Sequence, residues 1–308
     1  MSRGARLGLI LVLVAVAVSV AAMFALTVPQ RLPASAIAAA SSGNAVRGAR
    51  IFWAGGCASC HAAAGAKGDD RLRLGGGAPL KTPFGSFYAP NISSDRNNGI
   101  GGWSIGDFAN AMQRGVDPEG NHLYPAFPYA SYQRMTKGDI ADLFAYLGTL
   151  PPVAALAPET ALGFPFNIRR GIGLWKRAFM ADAGPVATLA PGASKAAQAG
   201  QYLVEGPGHC GECHTARALR GLGGLDRANW LAGAASLDSP GKVPNITPGK
   251  AGIGSWSAGE IADYLETGFT PDYDSVGGKM VEVQANMAKL TAADRAAIAA
   301  YLKAVPPR

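Results

Sequence analysis

The sequence predicts an all-α protein: two tandem copies of one small helical domain with long loops, behind a membrane-length apolar segment. Three observations carry this expectation. A set of cysteine, tryptophan and proline landmarks occurs twice in the same order, helix starts are marked by capping residues with little strand alternation between them, and the N-terminus opens on an uncharged apolar run. The 308 residues suffice for about two domains. Hydrophobic residues make up 48% and charged residues 16%, with 41 glycines and 21 prolines, so the chain buries cores yet turns often, which excludes wholesale disorder. The net charge is +7, but Lys and Arg form no runs or stripes that would track phosphates, so nucleic acid is excluded as a partner.

Residues 1–30 form the first element, a transmembrane anchor or signal segment. Arg3 and Arg6 precede an apolar stretch from Leu7 to about Val28. A bilayer core needs about 20 apolar residues, whereas the apolar region of a cleaved signal runs to about 7 to 15, so a retained anchor is expected. Basic residues ahead of a span stay in the cytoplasm, which places everything after Pro29 on the periplasmic face of a bacterial inner membrane. Ala34-Ser35-Ala36 offers small residues at a cleavage-like spacing and leaves processing open. A Pro- and Ala-rich tether (residues 29–46) follows.

The first copy covers residues 46–151, a linker covers 152–195, and the second copy covers 196–308. Trp103 lies 46 residues after Cys57, and Trp256 lies 46 after Cys210. Pro90-Asn91-Ile92-Ser93 answers Pro244-Asn245-Ile246-Thr247, and Ala145-Tyr146-Leu147 answers Ala300-Tyr301-Leu302. Each copy opens with an apolar-periodic stretch, Gly48 to Trp53 and Gly200 to Val204. Ser104 and Ser257 are N-caps with Asp107 and Glu260 at the capping-box position, and the last helices begin near Thr136 and Thr291 with Asp139 and Asp294 three residues on. The linker segment Phe164 to Phe179 spends large apolar residues that a flexible spacer would not need, so it packs on the domains or on a partner. Its Arg169, Arg170, Lys176 and Arg177 suit carboxylates, lipid headgroups or plain solvent equally.

Cys57-Ala-Ser-Cys60-His61 and Cys210-Gly-Glu-Cys213-His214 consume all four cysteines, and both read C-x-x-C-H. That is the pattern of c-type haem attachment. At i and i+3 on a helical turn the two thiols share one face, where each can form a thioether with a haem vinyl group, and a histidine at i+4 reaches the iron from the same side. Two covalent haems c are therefore expected, held by Cys57, Cys60, Cys210 and Cys213, with His61 and His214 on the irons. Two disulfides would suit an oxidising compartment but would not need a histidine after each pair. A four-thiolate zinc site is the stronger rival, but its pairs would begin 153 residues apart, each in its own repeat. A thioredoxin-like pair needs a βαβ context that is absent.

With these motifs the chain resembles class I cytochromes c. Those domains cross an N-terminal helix on a C-terminal one, attach haem just after the first helix, and take a methionine from a later loop as the sixth iron ligand. More narrowly, Thr82-Pro83-Phe84-Gly85, Pro90-Asn91-Ile92, Gly99-Ile100-Gly101-Gly102-Trp103-Ser104, Leu123-Tyr124-Pro125-Ala126 and Phe164-Pro165-Phe166-Asn167-Ile168-Arg169 look like the cytochrome subunits of periplasmic membrane-associated alcohol and aldehyde dehydrogenases. The similarity covers roughly residues 46–308. The alcohol dehydrogenase subunits typically carry three attachment motifs, and this chain has two.

The resemblance implies Met280 as the sixth ligand of the second iron. It lies 24 residues after Trp256, whereas Met287 stands only four residues before Thr291 with little loop to reach across a porphyrin. The first copy departs, because the equivalent position is Phe127, which cannot ligate iron. Three alternatives stay open: another side chain takes the place, the iron is five-coordinate, or water or a small ligand occupies the site. His122, five residues earlier in the same loop, is the candidate side chain and would give a bis-His haem of lower potential, although a loop histidine making ordinary hydrogen bonds is the simpler explanation. Met135 abuts Thr136 and suits the underside of the last helix, Met112 falls on the preceding helix, and His209 is too close to Cys210 to reach its haem.

No G-x-S-x-G, nucleotide-binding glycine motif or H-E-x-x-H is present. The expected function is an anchored electron-transfer subunit. It would take electrons from a periplasmic or membrane dehydrogenase or quinone-linked donor and pass them to a soluble cytochrome or terminal oxidase. The alternative is a dihaem enzyme of the peroxidase or thiosulfate dehydrogenase type with an open first iron, and a ligand sensor or structural anchor ranks last.

Overall fold

The computed structural model describes residues 2–38, 43–180, 183–236 and 241–308. Helix α1 (Arg3–Leu26) is capped by Ser2, whose hydroxyl accepts from the Ala5 amide, and none of its residues is buried. Among the described residues it is long and apolar enough to cross a membrane. A short helix α2 (Ala34–Ala38) lies in the stretch read as a free tether and packs on the first copy. Upstream of it, the Leu32 amide donates to Asn110 Oδ1 at 2.8 Å. Residues 39–42 of that stretch fall outside the described residues.

The first copy contains α3 (Ala45–Ala54), α4 (Cys57–His61), α5 (Ile105–Arg114), α6 (Tyr129–Tyr132) and α7 (Lys137–Leu147). The linker carries α8 (Ile172–Phe179). The second copy contains α9 (Lys195–Glu205), α10 (Gly211–His214), α11 (Ala258–Thr267), α12 (Met280–Met287) and α13 (Ala292–Ala304). Ser104 with Asp107 and Ser257 with Glu260 form capping boxes, and the Thr136 and Thr291 hydroxyls accept from the amides three residues on.

The all-α expectation needs one correction: the chain is mostly helical but not wholly so. Strands β1 (Pro79–Thr82), β2 (Gly85–Tyr88) and β3 (Ala161–Leu162) form an antiparallel sheet in that order, with Pro79 opposite Tyr88 and Gly85 opposite Leu162. Strands β4 (Ala234–Ala235) and β5 (Lys242–Val243) form a second, minimal pair. Elements of two to four residues show no period-2 alternation, so only their turn residues were visible. Through β3 the linker joins the first copy's sheet, and its Val153 and Ala155 carbonyls accept from Asn91 Nδ2 at 2.6 and 2.9 Å.

Each copy crosses its first helix on its last, α3 on α7 and α9 on α13. A glycine permits each crossing. A Cβ on Gly48 would sit 1.9 Å from the Asp142 carbonyl oxygen and 2.8 Å from Tyr146 Cβ, and one on Gly200 would meet the Ala297 oxygen at 1.9 Å and Tyr301 Cβ at 2.8 Å. The cores follow the same plan, with Ile51, Phe52, Phe108 and Leu143 in the first and Leu203, Val204, Ile298 and Tyr301 in the second. Trp53 touches both.

Polar contacts tie the copies together. Ser131 donates to Glu212 at 2.6 Å, Asn286 Nδ2 donates to Ser59 Oγ at 2.7 Å, and Tyr202 donates to Asp139. Arg50 binds Asp294 with both Nε and Nη2, the shortest contact being 2.8 Å. Burial alone would raise the Asp294 carboxyl, but hydrogen bonds from Arg50 and Thr291 outweigh it and hold the group below the usual carboxylate range. A carboxylate lowered on folding adds stability above its unfolded value of about 4, and that contribution is lost as pH falls through the folded value. Urea unfolding between neutral and acid pH is therefore expected to show an acid loss that Arg50→Gln reduces. An unchanged acid limb in the variant would remove this pair from the account.

Candidate haem sites

Both C-x-x-C-H segments fold as single helical turns right after the crossing helices. Gly55 and Gly56, the latter with φ 58°, lead from α3 into α4, and residues 206–210 lead from α9 into α10. Cys57 and Cys210 are partly buried against the two cores, whereas Cys60 and Cys213 face outward. No disulfide joins any of the four. Burial pushes the Cys57 and Cys210 thiols up to about 12, with the second cysteine of each pair adding to the shift, so neither is a reactive thiolate. Among the described residues, no group of three or more His, Cys, Asp and Glu side chains is arranged to hold a bare metal ion.

The histidines occupy matching positions. His61 Nδ1 lies 2.8 Å from the Pro90 carbonyl oxygen, and His214 Nδ1 lies 2.8 Å from that of Pro244. A carbonyl only accepts, so Nδ1 carries the proton in each ring and Nε2 is left as the basic nitrogen for a metal. Burial lowers both imidazoles below their ordinary value, and the carbonyl contact only partly opposes it, so both rings are neutral. Behind each ring a glycine amide holds the turn: Gly76 N donates to the His61 oxygen at 2.8 Å and Gly233 N to the His214 oxygen at 2.7 Å. Both glycines have positive φ, 75° and 89°, where a side chain would be strained. The repeated Pro-Asn-Ile segments were legible as landmarks in the sequence. Their carbonyls as histidine acceptors were not, since a backbone group leaves no residue-type signal.

This donor set fits a covalently held haem. Paired thiols precede a neutral imidazole whose free nitrogen is oriented by an outer hydrogen bond, and the whole arrangement occurs twice.

Of the sixth-ligand candidates, Met280 opens α12 and packs, partly buried, against the cluster that includes Cys210. Met287 is 4% exposed in the same core. Phe127 packs against the cluster that includes Cys57, with its ring 5.4 Å from that of Tyr132. Met135 and Met112 are buried there too. The structure does not bring His122 to Cys57. Its Nε2 is 2.9 Å from the Thr27 carbonyl oxygen, at the end of α1, and its buried Nδ1 has no partner. The end of α1 and the close approach of Gly173 claim the ring, so this geometry gives no support to His122 as an iron ligand. His209 sits between the copies, its ring 5.5 Å from that of Tyr132.

Comparison with known proteins agrees with the duplication. The cytochrome c family model matches residues 45–151 and again 197–306. A "diheme cytochrome c-type" protein of Cereibacter sphaeroides is 52% identical over 265 residues, covering 86% of this chain and 87% of that protein. The fructose dehydrogenase cytochrome subunit of Gluconobacter japonicus is 37% identical over 264 residues, 85% of this chain and 52% of its own length. The cytochrome c subunit of the quinone alcohol dehydrogenase of Gluconacetobacter polyoxogenes is 35% identical over 277 residues, 87% of this chain and 57% of its own. The chain thus spans little more than half the length of these two dehydrogenase subunits.

Proposed function

This chain belongs to the cytochrome c family, and from that premise we propose that it is a membrane-anchored, dihaem electron-transfer subunit serving a periplasmic dehydrogenase. The observation that carries the reading is the doubled turn in which two cysteines are followed by a histidine whose Nδ1 is fixed on a proline carbonyl. In this reading residues 46–151 and 196–308 are the two cytochrome domains, 152–195 connect them, and α1 anchors them to the inner membrane with both domains in the periplasm.

When bound, haem supplies a one-electron iron couple. The chain's own groups set where and at what potential it works. Cys57 and Cys60 would hold one ring and Cys210 and Cys213 the other by thioethers, with His61 and His214 presenting Nε2 to the metals. The Pro90 and Pro244 carbonyls raise the basicity of those imidazoles through Nδ1. Met280 would offer a soft thioether to the second iron, which would favour the reduced state. Contact between the two attachment turns, through Trp53, His209 and Tyr132, suits transfer from one site to the other. Electrons would enter from a dehydrogenase or quinone-linked donor and leave to a soluble cytochrome or terminal oxidase.

One observation favours a second reading. Phe127 stands in the first copy where Met280 stands in the second, and an open iron there would suit a dihaem peroxidase or thiosulfate dehydrogenase. Redox titration followed by absorption and paramagnetic resonance separates the two. A carrier gives two reversible one-electron steps and does not turn over peroxide or thiosulfate. Turnover, with carbon monoxide binding at the first iron, would transfer the case to the enzyme.

A further inference from the structure

The outer end of α1 is gripped by side chains from far along the chain. The last carbonyls of a helix have no partner within it. Here Arg170 Nη2 donates to the Phe24 oxygen at 2.9 Å, Arg177 Nε donates to the Leu26 oxygen at 2.5 Å, and His122 Nε2 takes the Thr27 oxygen. The Arg170 guanidinium also lies 4.5 Å from the centre of the Phe24 ring. Helix α8 crosses so close that a Cβ on Gly173 would sit 2.7 Å from Thr27 Cα.

This geometry fixes a depth. At about 1.5 Å per residue the 24 residues of α1 exceed the roughly 30 Å of a hydrocarbon core, so Phe24 to Thr27 stand at its outer edge. Any group within hydrogen-bond reach of those carbonyls lies at headgroup level. The segment 164–179 holds Arg169, Arg170 and Arg177 and no acidic residue, while its Lys176 is turned inward, with Nζ on the Arg114 and Gly115 carbonyl oxygens. It also exposes Phe164 (81%), Ile168 (53%) and Leu174 (37%). Cations with exposed apolar side chains at this depth match an anionic lipid surface, where each nearby cation and each buried apolar group adds to binding.

We propose that residues 164–179 form a second membrane contact, a collar around the end of α1 that lies in the outer-leaflet interface and binds anionic phospholipid. The collar holds the haem domains at a fixed height and tilt, which a single helix with a free tether would not do. The inference rests on the reading of α1 as a membrane anchor.

With the native cysteines taken up by haem, one added cysteine accepts a spin label. The full-length holoprotein carrying Ile168→Cys, Met23→Cys or Leu156→Cys would be placed in nanodiscs of phosphatidylcholine with or without phosphatidylglycerol. Accessibility to oxygen against a water-soluble nickel chelate is then read. The collar predicts a several-fold higher oxygen-to-nickel ratio at 168 than at 156, rising further with phosphatidylglycerol. Arg169→Gln, whose guanidinium stacks on Tyr124 and touches no α1 carbonyl, is expected to remove the added rise. A label at 168 as water-exposed as that at 156, while the label at 23 is immersed, overturns the collar and leaves the anchor standing. A water-exposed label at 23 overturns both. Immersion at 168 that appears only on adding dehydrogenase-containing membranes assigns this face to a protein and likewise overturns the proposal.

Discussion

Gly200→Val is expected to unfold the second copy at physiological temperature. The new Cβ would lie 1.9 Å from the Ala297 carbonyl oxygen, a backbone atom that cannot step aside, so α9 and α13 must separate along their whole contact. Overfilling of a tight core usually costs about 1 to 3 kcal/mol, and a backbone collision belongs at or beyond the upper end of that range. Gly48→Val is expected to do the same to the first copy through Asp142 and Tyr146. Gly184→Ala, with nothing within 4 Å of the added Cβ, should be nearly neutral. Thermal unfolding followed by circular dichroism together with haem absorption checks the series. Equal melting of Gly200→Val and Gly184→Ala would show that the crossing is looser than described.

Met280→Ala is expected to cost the second iron its sulfur ligand and leave the fold intact, because Met280 is only partly buried at the start of α12. The potential of that site should fall by on the order of 100 mV, a fraction of the roughly 0.8 V range that axial ligands command. Reduced protein should also gain carbon monoxide binding at one iron. Met287→Ala is expected to behave in the opposite way: it deletes a side chain in the second core, costing about 2 to 5 kcal/mol, and leaves the spectrum unchanged. His122→Ala should change neither spectrum, given that its ring is held at the end of α1. Exchange of the two methionine phenotypes would make Met287 the ligand.

Much of this was legible beforehand because it depends on residue type at fixed spacing. The attachment turns, the capping boxes at Ser104 and Ser257 and the helix starts at Thr136 and Thr291 are local signals, and doubling in the chain made each one checkable against its copy. Groups that act through the backbone stayed hidden. The Pro90 and Pro244 carbonyls, the β2–β3 pairing across more than seventy residues and the anchoring of Leu32 on Asn110 are set by tertiary approach. His122 illustrates the limit most clearly. Its chemistry and loop position made it a candidate for iron, but its neighbour in the structure is the Thr27 carbonyl, ninety-five residues away in sequence.

Sulfur is expected to hold a porphyrin in both copies. The most direct test is the intact mass of the denatured full-length chain made in a host competent in cytochrome maturation. Two covalent additions of roughly 600 Da each are expected, with one lost in Cys57→Ala/Cys60→Ala and one in Cys210→Ala/Cys213→Ala. A wild-type chain recovered at the mass of the bare polypeptide would contradict it.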